Sequence, residues 1–429
     1  MMLYRKYILA GGMAAMLVLA SVMAGWTLGE PLLADEAAQA ITHAVAAGQR
    51  QTGGSLYLLR WPENTDAVRY ELRVQDARGQ VIFSQPYAFQ HEYILPLSLT
   101  AQGIAPDWLY QVRPLDLDGQ PMDKWSYPRR LADDASLLTV QAPVPHSTYH
   151  QGNGTDLLYP VYSYTTYPEA ASYEVEVTSR EPEPDAAWCL SRYRVANYTS
   201  ELTDIYDPVP RTGSYYWRVR ALAADGRPMT VWSAAQHIEL APEAFTVGVF
   251  GDSISHGGGR LSYGPADWEY SYEAYLRQPV VNLSESGDTS ARMAERFAAD
   301  VRPFRGLKTV LILGGTNSLR AGTSAEQVIA DLQDIQQQAR ARGIRPILLT
   351  LPPINPAQIA KAFDQPTADD WQAKFAQVNA FIRTQEHIDT AAPFADYAEM
   401  PVSLAMDGLH GDVRAKQMMA AVINQSLAI

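Results

Sequence analysis

The chain has 429 residues, and at roughly 150 residues per domain this length predicts two to four domains. Its 47% hydrophobic and 19% charged residues are ordinary for a folded globular protein, which excludes wholesale disorder and a polytopic membrane protein. A formal net charge of -13 argues against nucleic acid and anionic membrane surfaces as partners, because both repel an acidic surface.

The N-terminus has the residue order of an export signal. Arg5 and Lys6 precede an uncharged, mostly apolar run of residues 7–29, which is typical of a signal peptide or an uncleaved anchor. We interpret residues 1–34 as that segment and 35–54 as a linker. The protein is therefore expected outside the cytoplasm, as a secreted, periplasmic or cell-surface protein.

The next region has the two-residue period of β-strands and repeats itself. The run Val112–Ser126 recurs as Val219–Ser233, including an Asp-Gly turn and a Trp-Ser pair. We predict two copies of one β-domain, over 55–140 and 141–241. Their strand pattern and late hairpin resemble fibronectin type III domains, which implies two all-β sandwiches of about seven strands each. The lone Cys189 allows no intramolecular disulfide, and we expect it to be a small buried hydrophobic residue.

After Pro242, buried apolar strands alternate with helices. A helix beginning after Ser324 has a capping box with Gln327 and a stop signal at Gly343. The predicted strands are Thr246–Phe250, Val280–Leu283, Thr309–Leu313, Pro346–Thr350 and one near Ile388. Residues 245–429 are thus predicted to form an α/β/α three-layer domain with a parallel sheet, whose site lies at the carboxyl ends of the strands.

Short polar motifs follow these strands. Gly251-Asp252-Ser253 comes directly after the first strand, where a strand-to-helix turn exposes a serine hydroxyl to an activating base. Gly287, Asn317 and the run Asp407-Gly408-Leu409-His410 follow later in the chain. The order and spacing of these motifs resemble the four blocks of the SGNH (GDSL-like) hydrolases across residues 245–429. This resemblance implies that the parallel sheet is flavodoxin-like.

The resemblance implies a role for each residue. Ser253 would be the nucleophile, His410 its base and Asp407 the carboxylate that orients the imidazole. The oxyanion hole would consist of the Ser253 and Gly287 backbone N–H groups and the Asn317 side-chain amide. One departure is Ser318, where the family often has Asp, and this puts a close subfamily assignment in doubt.

Plainer interpretations remain open for several of these residues. Gly287 is also what a turn before a helix requires, and Asn317 is typical of a loop amide bonded to its own backbone. Asp412, next to the histidine motif, is suited to capping a last helix. His256 is a rival base, ranked below His410 because its Gly-rich loop offers no obvious orienting carboxylate.

Aromatic residues follow the nucleophile motif. Tyr263, Trp268 and Tyr270 are expected to line an acyl or sugar pocket, although core packing is the favoured role for at least half of this aromatic segment. The sequence has no metal-binding or nucleotide-binding motif, so neither a metal nor another cofactor is expected.

These features favour an exported serine esterase that removes a short acyl group, such as acetate, from a carbohydrate through an acyl-enzyme on Ser253. A lipase, a thioesterase and an O-acyltransferase of the same fold are alternatives. An alternative of another class is a surface binding or adhesion protein in which the hydrolase scaffold is inactive.

Overall fold

The computed structural model describes residues 55–64, 66–146, 152–257 and 265–427. The predicted export segment, the linker and Tyr263 lie outside the described residues. Two compact units divide the chain. The first takes its described residues from Met1–Pro145, Tyr164–Thr203 and Tyr215–His237. The second takes its described residues from His146–Ser163, Asp204–Ser214 and Ile238–Ile429.

The first predicted β-domain contains a three-stranded sheet and a four-stranded sheet. Its strands are β1 (Tyr57–Arg60), β2 (Arg69–Gln75), β3 (Val81–Ala88), β4 (Glu92–Leu95), β5 (Leu109–Leu115), β6 (Arg129–Arg130) and β7 (Ala135–Leu137), with short helices α1 (Leu97–Thr100) and α2 (Leu131–Asp134). The sheet orders are β4-β1-β7 and β3-β2-β5-β6, and their ladders are antiparallel. Along β2, Tyr70, Leu72 and Val74 are buried in alternation with more exposed neighbours, as one-sided burial of a strand requires.

The second predicted β-domain has an equivalent set of strands. They are β8 (Pro145–His146), β9 (Val161–Tyr164), β10 (Ser172–Thr178), β11 (Arg194–Ser200), β12 (Asp204–Tyr206), β13 (Gly213–Leu222) and β14 (Gln236–Leu240). One sheet has the order β11-β10-β13-β14, and β9 pairs with β12 in another. The region thus has the antiparallel sheets that its strand period predicts, and its assignment to the fibronectin III fold stays a prediction.

The internal repeat is present in the backbone hydrogen bonds. The Ser126 N–H donates to the Val112 carbonyl at 2.8 Å, and the Ser233 N–H donates to the Val219 carbonyl at 2.8 Å. Equivalent sequence positions therefore form equivalent hairpins.

Cys189 is half-buried, whereas the sequence predicts a buried residue. Its backbone carbonyl accepts a hydrogen bond from the indole N–H of Trp232.

The second unit contains a five-stranded sheet, and its parallel ladders confirm the predicted parallel sheet. The strands are β15 (Val247–Gly251), β16 (Val281–Asn282), β17 (Thr309–Leu313), β18 (Arg345–Leu349) and β19 (His387–Ile388), in the order β16-β15-β17-β18-β19. The helices are α3 (Ser253–His256), α4 (Ser290–Asp300), α5 (Thr316–Arg320), α6 (Ala325–Ala341), α7 (Pro356–Phe363), α8 (Trp371–Arg383) and α9 (Val413–Leu427). Short 3-10 helices occupy Pro242–Ala244, Pro265–Tyr270, Tyr272–Tyr275 and Ala392–Phe394.

The clearest helix signal in the sequence is confirmed. The Ser324 hydroxyl accepts the Gln327 N–H at 3.2 Å, which satisfies a donor at the start of α6. Val328 and Leu332 lie on its buried face. Gly343 follows the helix with a φ of 73°, a conformation that glycine adopts without a Cβ penalty. None of the helices within the described ranges is both long and apolar enough to cross a membrane.

The unit with the parallel sheet includes chain that the sequence assigns to the second β-domain. The Leu158 N–H donates to the Asn282 carbonyl at 2.8 Å, and the Asn282 N–H donates to the Asp156 carbonyl at 3.0 Å. Leu158 and Tyr159 belong to the core cluster of this unit. This short stretch pairs with the edge of the sheet at β16. The unit therefore includes residues that precede the predicted domain of residues 245–429.

Candidate active site

The turn between β15 and α3 positions Ser253 at the carboxyl end of a strand. Gly251 ends β15, and a Cβ there would lie 2.3 Å from the Leu313 carbonyl oxygen, so the close approach of β15 and β17 requires glycine. The Asp252 carboxylate accepts the Ile254 N–H at 3.0 Å and caps α3. The Ser253 N–H is the first of that helix and has no acceptor within it.

A continuous chain of hydrogen bonds joins three of the predicted residues. Ser253 Oγ lies 2.8 Å from His410 Nε2, and His410 Nδ1 lies 2.7 Å from Asp407 Oδ2. The other carboxylate oxygen of Asp407 accepts the backbone N–H groups of Leu409 and His410 at 2.8 and 2.7 Å. A carboxylate at Nδ1 keeps the proton on that nitrogen, so Nε2 is the acceptor for the serine hydroxyl.

The glycine and asparagine motifs lie together. Gly287 has a φ of 90°, in the left-handed region that favours glycine. One residue later, the Asp288 carbonyl accepts from Asn317 Nδ2 at 3.0 Å. Asn317 Oδ1 accepts from Arg320 Nε at 3.3 Å, which orients the amide. Because a side-chain amide carries two N–H groups, one remains for a ligand.

His256 is held away from proton transfer. The Ser286 N–H donates to its Nδ1 at 3.1 Å, so the proton is on Nε2, which lies 2.8 Å from the Tyr159 carbonyl oxygen. Burial lowers the pKa of His256 to about 4, and the ring is neutral at ordinary pH. Because both ring nitrogens make hydrogen bonds, His256 holds the backbone next to Gly287 in place. The histidine that is hydrogen-bonded to Ser253 is His410.

Arg296 is a buried organising residue that sequence reasoning missed. Its guanidinium donates to the Gly251 carbonyl at 3.0 Å and to the Leu283 carbonyl at 2.7 Å, near the ends of β15 and β16. It also pairs with Asp288 at 2.5 Å and Asp300 at 2.6 Å. The spacing of Arg296 and Asp300 on one helix face was the available signal. Arg296 thus ties the nucleophile strand to the glycine loop.

Ser318 has a structural role at the position where the sequence departs from the family pattern. Its hydroxyl oxygen accepts the Ser290 N–H at 2.9 Å, and the Ser290 hydroxyl donates to Asp331 at 2.6 Å. All three side chains are buried or nearly so. Ser318 therefore joins the asparagine motif to the start of α4.

The expected aromatic pocket is only partly supported by the side-chain positions. The side chain of Tyr270 is 1% exposed, as core packing requires, and its role in a pocket stays a prediction. Trp268 is half-buried, and a Cβ at Gly152 would lie 2.6 Å from its ring, so the indole packs against that backbone. An aromatic residue not selected from the sequence, Phe363, has its ring 5.9 Å from the His410 ring in an edge-to-face arrangement.

Comparison with known proteins matches part of the second unit to a family. Residues 249–417 match the sequence profile of the GDSL-like Lipase/Acylhydrolase family. They form a GDSL-like lipase/acylhydrolase domain. Within the described ranges, no group of three or more His, Cys, Asp or Glu side chains of this domain or the rest of the chain is arranged to hold a metal ion.

Relatives of the GDSL-like domain include a curated esterase. The chain is 35% identical to Esterase TesA from Pseudomonas aeruginosa over 133 residues, which is 28% of this chain and 63% of that protein. The chain thus spans less than two thirds of this relative. Among solved structures, one of TesA is 24% identical with a TM-score of 0.34, covering 43% of this chain and 98% of the other. A GDSL-like lipase from Bacteroides thetaiotaomicron is 19% identical with a TM-score of 0.34, covering 42% and 87%.

Proposed function

We propose that this protein is an exported serine esterase whose GDSL-like domain hydrolyses an ester through an acyl-enzyme on Ser253. The observation that carries the proposal is the hydrogen-bonded chain from Asp407 through His410 to Ser253, with distances of 2.7 and 2.8 Å. A serine hydroxyl is a weak nucleophile at its ordinary pKa, and a base at this distance activates it. The same geometry recurs on unrelated folds that perform acyl transfer.

In the first half-reaction, His410 Nε2 takes the hydroxyl proton as Ser253 Oγ bonds to the carbonyl carbon of the ester. Asp407 stabilises the resulting imidazolium through Nδ1. The oxyanion accepts hydrogen bonds from the N–H groups of Ser253 and Gly287 and from the Asn317 amide. The tetrahedral intermediate then breaks the bond to the alkoxy group, which leaves as the alcohol with the proton from His410.

The second half-reaction repeats these steps with water. His410 removes a proton from water as its oxygen bonds to the acyl carbon, and the same donors hold the new oxyanion. The intermediate breaks the bond to Ser253 Oγ, which regains a proton from His410. The products are a carboxylic acid and the free enzyme.

For the substrate we propose a short acyl ester, such as an O-acetyl group on a carbohydrate. The formal charge of -13 disfavours anionic substrates, and half-buried Trp268 belongs to the aromatic segment that follows the nucleophile. A panel of acetylated oligosaccharides, longer acyl esters and thioesters tests this class. Higher kcat/KM on a long-chain ester than on every acetylated sugar would reject it in favour of a lipase.

Export is proposed from the charged start and apolar run at the N-terminus. Expression of the full chain in a bacterial host, followed by fractionation and intact-mass measurement, tests it. Recovery of the protein in the extracytoplasmic or membrane fraction is expected. Recovery in the cytoplasm with an intact N-terminus would reject export.

Hydrolysis of p-nitrophenyl acetate tests the serine mechanism. We expect Ser253→Ala to lower kcat by up to roughly a million-fold, because the variant lacks the nucleophile that His410 activates. Ser426→Ala is the matched control, since Ser426 is an exposed serine on α9. Equal rates for the wild type and Ser253→Ala would eliminate the proposed mechanism.

A further inference from the structure

A buried lysine links the element with the nucleophile to the element that follows the base. Lys416 lies in the first turns of α9, which begins three residues after His410, and its side chain is only 2% exposed. Its ammonium donates to the carbonyl of Ile254, the residue after Ser253. The Lys416 side chain therefore connects the helix after His410 to the helix that carries Ser253, the two residues proposed to exchange a proton.

The helix that carries Ser253 depends on such outside contacts. Helix α3 has four residues, too few for its internal hydrogen bonds to make it stable alone. Asn282 Nδ2 donates to the Ser255 and His256 carbonyls at 3.0 and 3.2 Å. Lys416 takes the remaining carbonyl in this run, that of Ile254. Two buried side chains thus hold the end of α3.

The charge of Lys416 has no close ion-pair partner among the described residues. The acids that act on it electrostatically when they are ionised are Glu273, Asp252 and Asp407, and Tyr272 presents its ring 5.8 Å from the ammonium nitrogen. The two carboxylate oxygens of fully buried Glu273 make no hydrogen bond within the described residues. Burial raises the pKa of Glu273 well above its ordinary value, which favours the neutral acid.

A buried cation in this setting costs folding stability. Burial lowers the pKa of Lys416 to about 8 from 10.5, so the folded state disfavours its charge. The sign follows from linkage: the cost is fully present below pH 8 and is relieved as the pH rises from about 8 to 10.5. An apolar residue of similar length avoids this cost. The position of the charge beside α3 therefore points to a role in activity.

We propose that Lys416 is a positioning residue that holds the Ile254 carbonyl and so keeps Ser253 Oγ within hydrogen-bond distance of His410. The proposal rests on the proposed serine mechanism. Lys416 itself touches neither the reacting atoms nor the substrate. A shift of about 1 Å in a reacting group costs on the order of 100-fold in rate, which sets the scale of the effect.

The test compares four variants with the wild type on p-nitrophenyl acetate. Lys416→Met removes the cation, and the double variant Lys416→Met with Glu273→Gln also removes the buried acid, which avoids leaving it without the neighbouring cation. Lys416→Arg keeps the charge and the donors. Lys374→Met is the matched control, because Lys374 also donates to a backbone carbonyl, that of Gly322, at 3.1 Å.

We expect kcat to fall about 10- to 100-fold in both methionine variants, with KM within about twofold of the wild type. Melting of the double variant should occur at or above the wild-type temperature, which a merely structural role does not predict. Lys416→Arg should recover kcat to within about fivefold, and Lys374→Met should match the wild type.

Three results would overturn the proposal. The first is a wild-type kcat in the double variant, and the second is a loss of kcat that only parallels a loss of melting temperature. The third is an arginine variant as inactive as Lys416→Met while folded. None of these results would contradict the serine mechanism. That mechanism would be contradicted by wild-type activity in Ser253→Ala.

Discussion

Asp407 determines which nitrogen of His410 carries the proton. Its buried carboxylate is held by two backbone N–H groups and faces Nδ1, so Nε2 remains the acceptor for Ser253. An amide in the same place can present its NH2 group to Nδ1 and stabilise the other tautomer. In the proposed mechanism, Asp407 therefore sets which nitrogen of His410 takes the serine proton.

We expect Asp407→Asn to lower kcat by roughly 10,000-fold, since the wrong tautomer leaves no base at Nε2. Steady-state hydrolysis of p-nitrophenyl acetate measures the change, with circular dichroism to confirm folding. Asp412→Asn is the control, because Asp412 caps α9 through the Ala415 N–H and an asparagine can do the same. A folded Asp407→Asn protein within tenfold of wild-type kcat would contradict the assignment.

Asn317 is the side-chain donor of the proposed oxyanion hole. We expect Asn317→Ala to reduce kcat by about 100- to 1,000-fold with little change in KM, because the bond strengthens only as negative charge develops on the oxygen. The variant also loses the contact with the Asp288 carbonyl, so its melting temperature must be measured in parallel. A rise in KM with unchanged kcat would assign Asn317 to ground-state binding instead.

The turn between elements β15 and α3 contains a carboxylate, Asp252, that caps a helix but is buried, and burial opposes its ionisation. Asp252 caps α3, yet its second oxygen makes no hydrogen bond within the described residues. Burial raises the pKa of Asp252 to about 6. Because the folded-state pKa lies above 3.8, ionisation costs folding free energy above about pH 6, and the cost disappears as the pH falls below 4.

Asp252→Asn keeps a cap acceptor and removes the charge, so we expect it to unfold less readily than the wild type at pH 8. The gain should be on the order of 1 to 3 kcal/mol and should vanish at pH 4. Denaturant unfolding at both pH values measures it, with the exposed Asp334→Asn as control. A variant less stable than the wild type at pH 8 would show that the carboxylate stabilises the fold.

The regular elements of the second unit could be predicted because their signals are local. The Ser324 cap, the apolar spacing of α6 and the stop at Gly343 all lie within one segment. The β16 strand was predicted over four residues and has two, Val281–Asn282, because pairing with β15 rather than apolar character decides its ends.

The side chains that organise the site could not be predicted in the same way. Arg296, His256 and Lys416 act through backbone carbonyls that are distant in sequence, such as that of Ile254 for Lys416. The i,i+4 spacing of Arg296 and Asp300 is a local signal, but it shows neither the burial of Arg296 nor the carbonyls that it binds. Nothing local distinguishes His256 and Lys416 from solvated residues on a helix or loop. The motif residues were found because the family resemblance implies their roles, and the structure brings Ser253 and His410 together.

At the scale of the whole molecule, the unit with the GDSL-like domain draws on more of the chain than its sequence pattern marks. Tyr159 packs in the core of this unit, and its hydroxyl donates to Asp300 at 3.0 Å. Leu158 pairs with the backbone at β16. The sequence does not indicate that Leu158 and Tyr159 belong to this unit, because so few paired residues leave no periodic pattern.

We expect a fragment of residues 245–429 to be less stable than the same unit in the full chain, since it lacks Leu158 and Tyr159. Removing a large buried side chain typically costs about 3 to 5 kcal/mol, so loss of the segment should lower the melting temperature markedly. Thermal unfolding of the fragment and of full-length Tyr159→Ala measures the effect. A fragment with the full chain's melting temperature and activity would show that 152–163 is dispensable.

Covalent labelling tests directly whether Ser253 is the nucleophile. The protein is treated with a fluorophosphonate, digested, and its peptides are mapped by mass spectrometry, beside Ser253→Ala and Asp407→Asn. We expect one adduct, on Ser253, which is absent from the alanine variant and forms much more slowly in the asparagine variant. An adduct on another residue, or an unchanged labelling rate without Asp407, would contradict it.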